Sequence, residues 1–336
     1  MRQSPVPTLS IIVPMFNEEA ALDTFFERVQ MALLAVTPSY EIICVNDGSS
    51  DDTLNRLVLH SVRDARIRVV NLSRNFGKEV ALTAGIDHAG GQAVIPIDAD
   101  LQDPPELIGE MVAKWRGGAK VVLAVREDRS SDTWLKRVTA EGAYWLFSKL
   151  TRPAIPRNVG DFRLMDRSVV DALKQLPERN RFMKGLFAWV GFEPAYVSYT
   201  RAERTLGETK WNYWKLWNFA LDGITSFSSL PLRVWSYVGV VTSLAALAYM
   251  VWIIAKTVLF GVDTPGYASL MSVVLFTNGM VMIGLGVMGE YLSRVFIEVK
   301  GRPLYLVSET HGFEAAQAQP EPAILDLGAR SGTSAG

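Results

Sequence analysis

Short apolar runs that break off at polar clusters alternate, in the first half of the chain, with stretches of helical periodicity. Leu9-Ser10-Ile11-Ile12-Val13 is rich in β-branched residues and stops at Pro14, which predicts a strand. From about Ala20 to Val36, Leu22, Phe25, Phe26, Val29 and Leu33 recur at three- and four-residue spacing, one face of a helix. Glu41 to Val45, Ala93 to Ile97 and Val121 to Val125 read as further buried strands. Strands alternating with helices predict an α/β domain whose parallel sheet is covered on both faces. The second half is different in kind. Val234 to Phe260 and Tyr267 to Leu292 are apolar runs, each long enough to cross a hydrocarbon layer of about 30 Å. His311 to Gly336, rich in Ala, Gly, Pro, Gln and Ser, predicts disorder, as do the polar residues 1–8.

In an open α/β sheet the ligand sits outside the carboxyl ends of the strands. Three strand ends here carry acidic or amide clusters: Asn17 and Glu18, then Asp47, then Asp98 and Asp100. In extended backbone, positions i and i+2 face the same way, so Asp98 and Asp100 are expected to aim at one point. Oxygen donors without neighbouring His or Cys select Mg²⁺ or Mn²⁺, and such an ion serves best on the phosphates of a nucleotide. An acidic turn after a core strand is the competing reading of that stretch. In Ser73 to Glu79, Arg74 and Lys78 offer positive charge to a diphosphate, and Gly77 permits close backbone approach.

Composition narrows the field. The 336 residues carry a formal net charge of −1, which gives no argument for nucleic acid. One cysteine, Cys44, lies inside an apolar run, so no disulfide framework is possible and a reducing compartment is expected. The three histidines sit in no ligand spacing. The N-terminal apolar run is too short for a signal sequence, so the chain is expected to start in the cytoplasm.

Val13-Pro14-x-x-Asn17-Glu18, Asn46-Asp47-Gly48-Ser49-Ser50-Asp51 and Asp98-Ala99-Asp100-Leu101-Gln102-x-Pro104-Pro105 together resemble the polyprenyl-phosphate glycosyltransferases of glycosyltransferase family 2. The resemblance covers about the first 305 residues. It implies a type A, Rossmann-like glycosyltransferase domain over residues 9–200, followed by an active-site loop and interfacial helices (201–233), two transmembrane helices (234–260 and 267–292) and a return segment (293–310). It also implies roles. Pro14, Asn17, Glu18 and Asp47 would hold the nucleoside; Asp98, Asp100 and Gln102 would serve the metal. Arg126 and Arg137 would take the acceptor phosphate, and Arg204 and Lys210, in Arg204-Thr205-Leu206-Gly207-Glu208-Thr209-Lys210, would lie in a loop closing over donor and acceptor.

Asp161 matches the family's carboxylate at the reaction centre, often called a general base, and Arg163 is carried over as a binding residue; a mere local ion pair of the two is the competing reading. A phosphate monoester has its second pKa near 6, so the acceptor is already largely a dianion at neutral pH. Asp161 is therefore expected mainly to orient the sugar and the arginines.

Trp211 to Phe219 holds three tryptophans in seven residues beside Lys210 and Lys215, which predicts a helix lying in the membrane interface. Basic residues flank the two apolar runs, and the link between them, Gly261 to Gly266, has none; both termini are thus expected on the cytoplasmic side of the cell (inner) membrane. Gly284-Leu285-Gly286-Val287-Met288-Gly289 follows no strand, so it predicts close helix packing, within the pair or between subunits, and not dinucleotide binding. Pro303 to Val307 predicts a short strand returning to the catalytic domain.

The expected reaction is direct displacement at the anomeric carbon by undecaprenyl phosphate, with inversion. UDP-glucose is the leading donor; GDP-mannose, UDP-N-acetylhexosamine and aminoarabinose-type donors stay open. A processive synthase would need a Gln-x-x-Arg-Trp motif that the chain lacks. A membrane-anchored, non-catalytic nucleotide-sugar-binding subunit is the rival outside enzymology. Resemblance to bacterial members favours a homotetramer.

Overall fold

A computed structural model describes residues 6–126, 159–179, 181–199, 230–260 and 266–313. An eight-stranded sheet organises the α/β part of the chain. Its strands are β1 (Leu9–Met15), β2 (Tyr40–Asn46), β3 (Ile67–Leu72), β4 (Ala93–Pro96), β5 (Val121–Arg126), β6 (Val159–Asp166), β7 (Pro194–Tyr199) and β8 (Val307–His311). Between them lie α1 (Leu22–Leu34), α2 (Thr53–Arg63), α3 (Lys78–His88), α4 (Ile108–Arg116), α5 (Arg167–Lys174) and α6 (Met183–Trp189).

The spatial order is β7-β5-β6-β4-β1-β2-β3-β8. Strands β4, β1, β2 and β3 run parallel, and β5 is parallel to β7, but β6 is antiparallel to both its neighbours and β8 is antiparallel to β3. The all-parallel expectation is thus corrected to a mixed sheet. Both faces are covered, as expected. Along β1, Leu9, Ile11 and Val13 join α1 and α4 in one core, while Ile12 on the other face joins α3, α5 and α6 in a second. The close seat of α3 depends on Gly85: a Cβ there would lie 2.2 Å from a methyl of Ile12. That seat fixes the start of α3, where Lys78 stands.

The order β4-β1-β2 brings the three polar strand ends side by side. These are the ends of β1, β2 and β4; β3, which the hydrophobic pattern did not single out, lies between β2 and β4 in the chain but outside β2 in the sheet.

Two long helices follow, α7 (Leu230–Phe260) and α8 (Tyr267–Lys300). Each contains a segment long and apolar enough to cross a membrane, Val234–Phe260 with mean hydropathy 2.1 and Phe276–Lys300 with 1.5; 0% and 6% of these are buried. A core helix of that composition would be covered. Helix α8 runs eight residues past the Leu292 end expected for the second span and stops at Gly301, in left-handed conformation at φ 66°. Of the glycine motif, Gly284 is packed as expected: a Cβ there would enter the Trp235 indole of α7. Gly286 and Gly289 have no described atom within 4 Å of such a Cβ.

The return strand lies later than expected, at Val307–His311 instead of Pro303–Val307, so His311 belongs to the sheet and not to a tail. Several contacts join this segment to the domain. Ser73 N donates to Leu306 O at 2.9 Å, Tyr305 hydroxyl to Asp87 at 2.9 Å, and Arg179 N to Glu298 Oε1 at 2.8 Å. The expected interfacial helix at Trp211 to Phe219 lies outside the described residues.

Candidate active site

The loops that leave β1 and β2 are tied to each other by side-chain hydrogen bonds. Asn17, at φ 56°, accepts through Oδ1 from Ser50 N at 2.8 Å, while its own N–H donates to Ser49 Oγ at 2.9 Å. Its amide thereby builds the loop pair and does not line the cleft. Glu18, whose N–H donates to Thr53 Oγ1 at 2.9 Å, does line it.

Asp47 is buried at the end of β2, and each of its oxygens accepts a backbone amide: Phe76 N to Oδ1 at 2.7 Å and Gly77 N to Oδ2 at 2.9 Å. It anchors the segment that enters α3, with Gly77 at φ 97° supplying a conformation that other residues rarely adopt. Burial pushes the Asp47 pKa up, against the two amides and Arg74. Arg74 itself stacks over Phe76, 4.2 Å from the ring centroid, and is not part of the cleft wall.

Strand β4 ends at Pro96, so Asp98 and Asp100 lie beyond it, Asp100 in a turn. They reach the cleft from a turn that closes on Leu101 at φ 54°, which corrects the alternation argument while leaving both carboxylates on the wall. Asp100 Oδ1 accepts from Gln102 N at 3.1 Å. Gln102 is buried and is not among the residues that line the cleft. Pro14, Glu18, Asp47, Lys78, Asp98 and Asp100 share a cleft of about 330 Å³. Burial pushes the Glu18 pKa up, and the charges of Asp100, Asp98 and Asp51 push it further.

Lys78 ties the turn after β4 to strand β6. Its Nζ lies 2.8 Å from each oxygen of Asp98 and 2.9 Å from Asp161 Oδ2. Asp161 stands on β6, the antiparallel strand inserted between β4 and β5. Burial alone would raise its pKa, but Lys78, Lys184 and Arg163 outweigh burial and hold it below the usual carboxylate value. Its Oδ1 is shielded from solvent and has no hydrogen-bond partner among the described residues.

Arg163 is buried, with its guanidinium 4.0 Å from the centroid of Phe187 and Nη2 donating to Gly160 O at 2.8 Å. Burial lowers its pKa to about 10, opposed by Asp161 and Glu79. It is charged at neutral pH, and its charge and that of Asp161 favour each other. Arg126 ends β5 next to the start of β6, where Val125 pairs with Val159, and its Nε is likewise shielded and unpartnered. Arg137, Arg204 and Lys210 lie outside the described residues.

Sequence reasoning missed Glu79 and Lys184. Glu79 accepts from Met183 N at 3.0 Å and has its pKa raised by burial and by Asp161. Nothing in the local sequence around Lys184 signals its nearness to Asp161, because α6 and β6 meet only in the folded sheet.

Two family descriptions match the chain: Glycosyl transferase family 2 over residues 10–174 and GtrB C-terminal hairpin over 230–295. The SfII prophage-derived bactoprenol glucosyl transferase of Shigella flexneri is 50% identical over 90% of this chain and 98% of its own length. The chain belongs to glycosyltransferase family 2. This glycosyltransferase is also 50% identical to the prophage bactoprenol glucosyl transferase homolog of Escherichia coli K12, over 89% of this chain and 98% of the relative. An uncharacterized glycosyltransferase of Synechocystis sp. is 60% identical over 91% of this chain and 96% of its own. Among solved structures, glucosyl-3-phosphoglycerate synthase from Mycobacterium tuberculosis, in complex with Mn²⁺, UDP and phosphoglyceric acid, gives a TM-score of 0.49 at 23% identity, over 65% of this chain and 76% of that one. Mannosyltransferase PcManGT from Pyrobaculum calidifontis, with GDP-Man and Mn²⁺, gives 0.48 at 16% identity, over 87% and 86%. The family 2 glycosyltransferase has the expected α/β domain, followed by two apolar helices.

Proposed function

We propose that this glycosyltransferase transfers glucose from UDP-glucose to undecaprenyl phosphate at the cytoplasmic face of a membrane, with inversion at the anomeric carbon. The observation that carries the proposal is the Asp98–Lys78–Asp161 link, in which one ammonium lies within 3 Å of the carboxylate beyond β4 and of the carboxylate on β6. The names of the bactoprenol glucosyl transferase relatives support glucose and the prenyl acceptor.

A divalent cation fits the cleft. Its donors are oxygens only, and the raised Glu18 pKa registers negative charge crowded at Asp98 and Asp100. Among the described residues no three acidic, His or Cys groups form a cage. That suits Mg²⁺ or Mn²⁺, which takes one or two carboxylates and completes its shell with phosphates and water. Asp98 and Asp100 would hold it, and it would offset the charge of the departing diphosphate.

The protein's own groups do the rest. Pro14, Glu18 and Asp47 shape the nucleoside end. Lys78 offers its ammonium to the diphosphate. Asp161, ionised and fixed by Lys78 above Arg163, orients the sugar and keeps the acceptor's cationic partners in place. Arg126, at the end of β5, would offer its guanidinium to the acceptor phosphate. Little proton abstraction is needed, so rate enhancement comes from positioning and charge stabilisation. Helices α7 and α8 cross the bilayer and hold the prenyl chain, with both termini cytoplasmic; a homotetramer is the assembly carried over from the resemblance.

Purified protein in nanodiscs, incubated with a panel of labelled nucleotide sugars with and without undecaprenyl phosphate, tests this. UDP-glucose should label the lipid and release UDP only when the lipid phosphate is present. Equal UDP release without it, or preference for another donor, would overturn the acceptor or the sugar respectively.

A further inference from the structure

Lys78 Nζ contacts both carboxylate oxygens of Asp98, each at 2.8 Å, and Asp161 Oδ2 at 2.9 Å. A Mg²⁺-like ion on Asp98 would have to stand about 2.1 Å from those same oxygens. Each of those oxygens keeps a further lone pair, but an ammonium so close to a divalent ion repels it strongly. Asp100 relieves the conflict only in part: its Oδ1 accepts from the Gln102 amide, which leaves its Oδ2 for the ion.

The backbone under Lys78 is held firmly, by Asp47 on the two preceding amides and by the close packing of Gly85 against Ile12. The side chain is not held in the same way. It is 47% exposed, on a flexible four-carbon stem, and it borders the cleft that faces the diphosphate. A swing of the ammonium therefore needs no movement of α3.

We infer that Lys78 is an exchangeable counter-cation. In protein without nucleotide it occupies Asp98 and keeps the divalent cation off. The donor's diphosphate draws the ammonium away, and metal and nucleotide load together. The inference rests on the reading of Asp98 and Asp100 as metal ligands. Linkage then requires that UDP tighten Mn²⁺ binding by the same factor by which Mn²⁺ tightens UDP, and Lys78 supplies part of that factor.

The test measures Mn²⁺ binding to the full-length protein in nanodiscs by electron paramagnetic resonance of the free ion, with and without UDP. Lys78→Met should bind Mn²⁺ about tenfold more tightly than wild type when UDP is absent, equivalent to about 1.4 kcal/mol. UDP should tighten Mn²⁺ less in Lys78→Met than in wild type. Lys78→Gln should repeat both effects, and Lys78→Arg, which keeps the charge, should stay near wild type. If the neutral variants bind Mn²⁺ no better without UDP, while wild type binds it with UDP, the counter-cation role is overturned and the metal site stands. If wild type binds no Mn²⁺ even with UDP, the metal site itself is wrong.

Discussion

Asp161→Asn separates positioning from base catalysis by magnitude. The change keeps the shape of the side chain and removes its charge, so Lys78 loses one of its two carboxylates. At 2.9 Å a full ion pair is worth about 1.4 kcal/mol in bulk water and about four times that at an effective dielectric of 20. Asp161 is mostly covered but the Lys78 side chain is 47% exposed, so solvent screening brings the loss to about 1–2 kcal/mol. As positioning alone, that corresponds to a roughly 5- to 30-fold fall in kcat/KM. A general base contributes about 10² to 10⁴. The assay is UDP release from UDP-glucose with Mn²⁺ and undecaprenyl phosphate, taken from pH 5.5 to 8.5. Because the Asp161 carboxyl is held below its ordinary value of 3.8, it stays ionised over that whole window. The acid limb of the profile should therefore sit near the acceptor's second pKa, about 6, in wild type and Asp161→Asn alike. Its contribution to folding follows the same sign: present above the unfolded value and lost only as pH falls through the folded one. A loss beyond about 10³ together with disappearance of the acid limb in Asp161→Asn would refute the positioning role.

Asp47→Ala strips the acceptor from two buried-side amides, each charge-assisted bond being worth about 1.5–3 kcal/mol; differential scanning fluorimetry in detergent should show a clear fall in Tm, with Asp47→Asn intermediate. An unchanged Tm would mean that the 73–77 segment is held by something else. Gly284→Leu places a side chain where the Trp235 indole lies, so it should loosen the α7–α8 hairpin and lower Tm, while Gly286→Leu, with no described atom within 4 Å of its Cβ, should cost little in the isolated chain. Equal behaviour of the two would contradict the packing assignment.

The strands β1, β2, β4 and β5 and helix α1 were legible because each is a compact apolar run with a sharp polar stop. The site was legible to the same extent: the carboxylates mark those stops, and adjacency of β4, β1 and β2 follows from parallel winding. Three features were not. Strand β6 carries Asp161 in antiparallel orientation, and nothing in Val159 to Asp166 states its direction. The turn at Asp98 to Leu101 replaces a strand end, because Leu101 takes a positive φ that no leucine advertises. Salt-bridge partners such as Lys78 and Asp161, 83 positions apart, are set by tertiary packing, so the sequence placed Lys78 beside a diphosphate without revealing its grip on both aspartates. Helix α8 overran its expected end because amphipathic residues after Leu292 continue a helix as readily as apolar ones do.

The most direct measurement is the anomeric configuration of the lipid-linked sugar, read by proton NMR on product made from UDP-α-glucose and undecaprenyl phosphate. A single in-line displacement in this cleft gives a β-linked glucosyl phospholipid. An α-linked product would contradict the account at its centre.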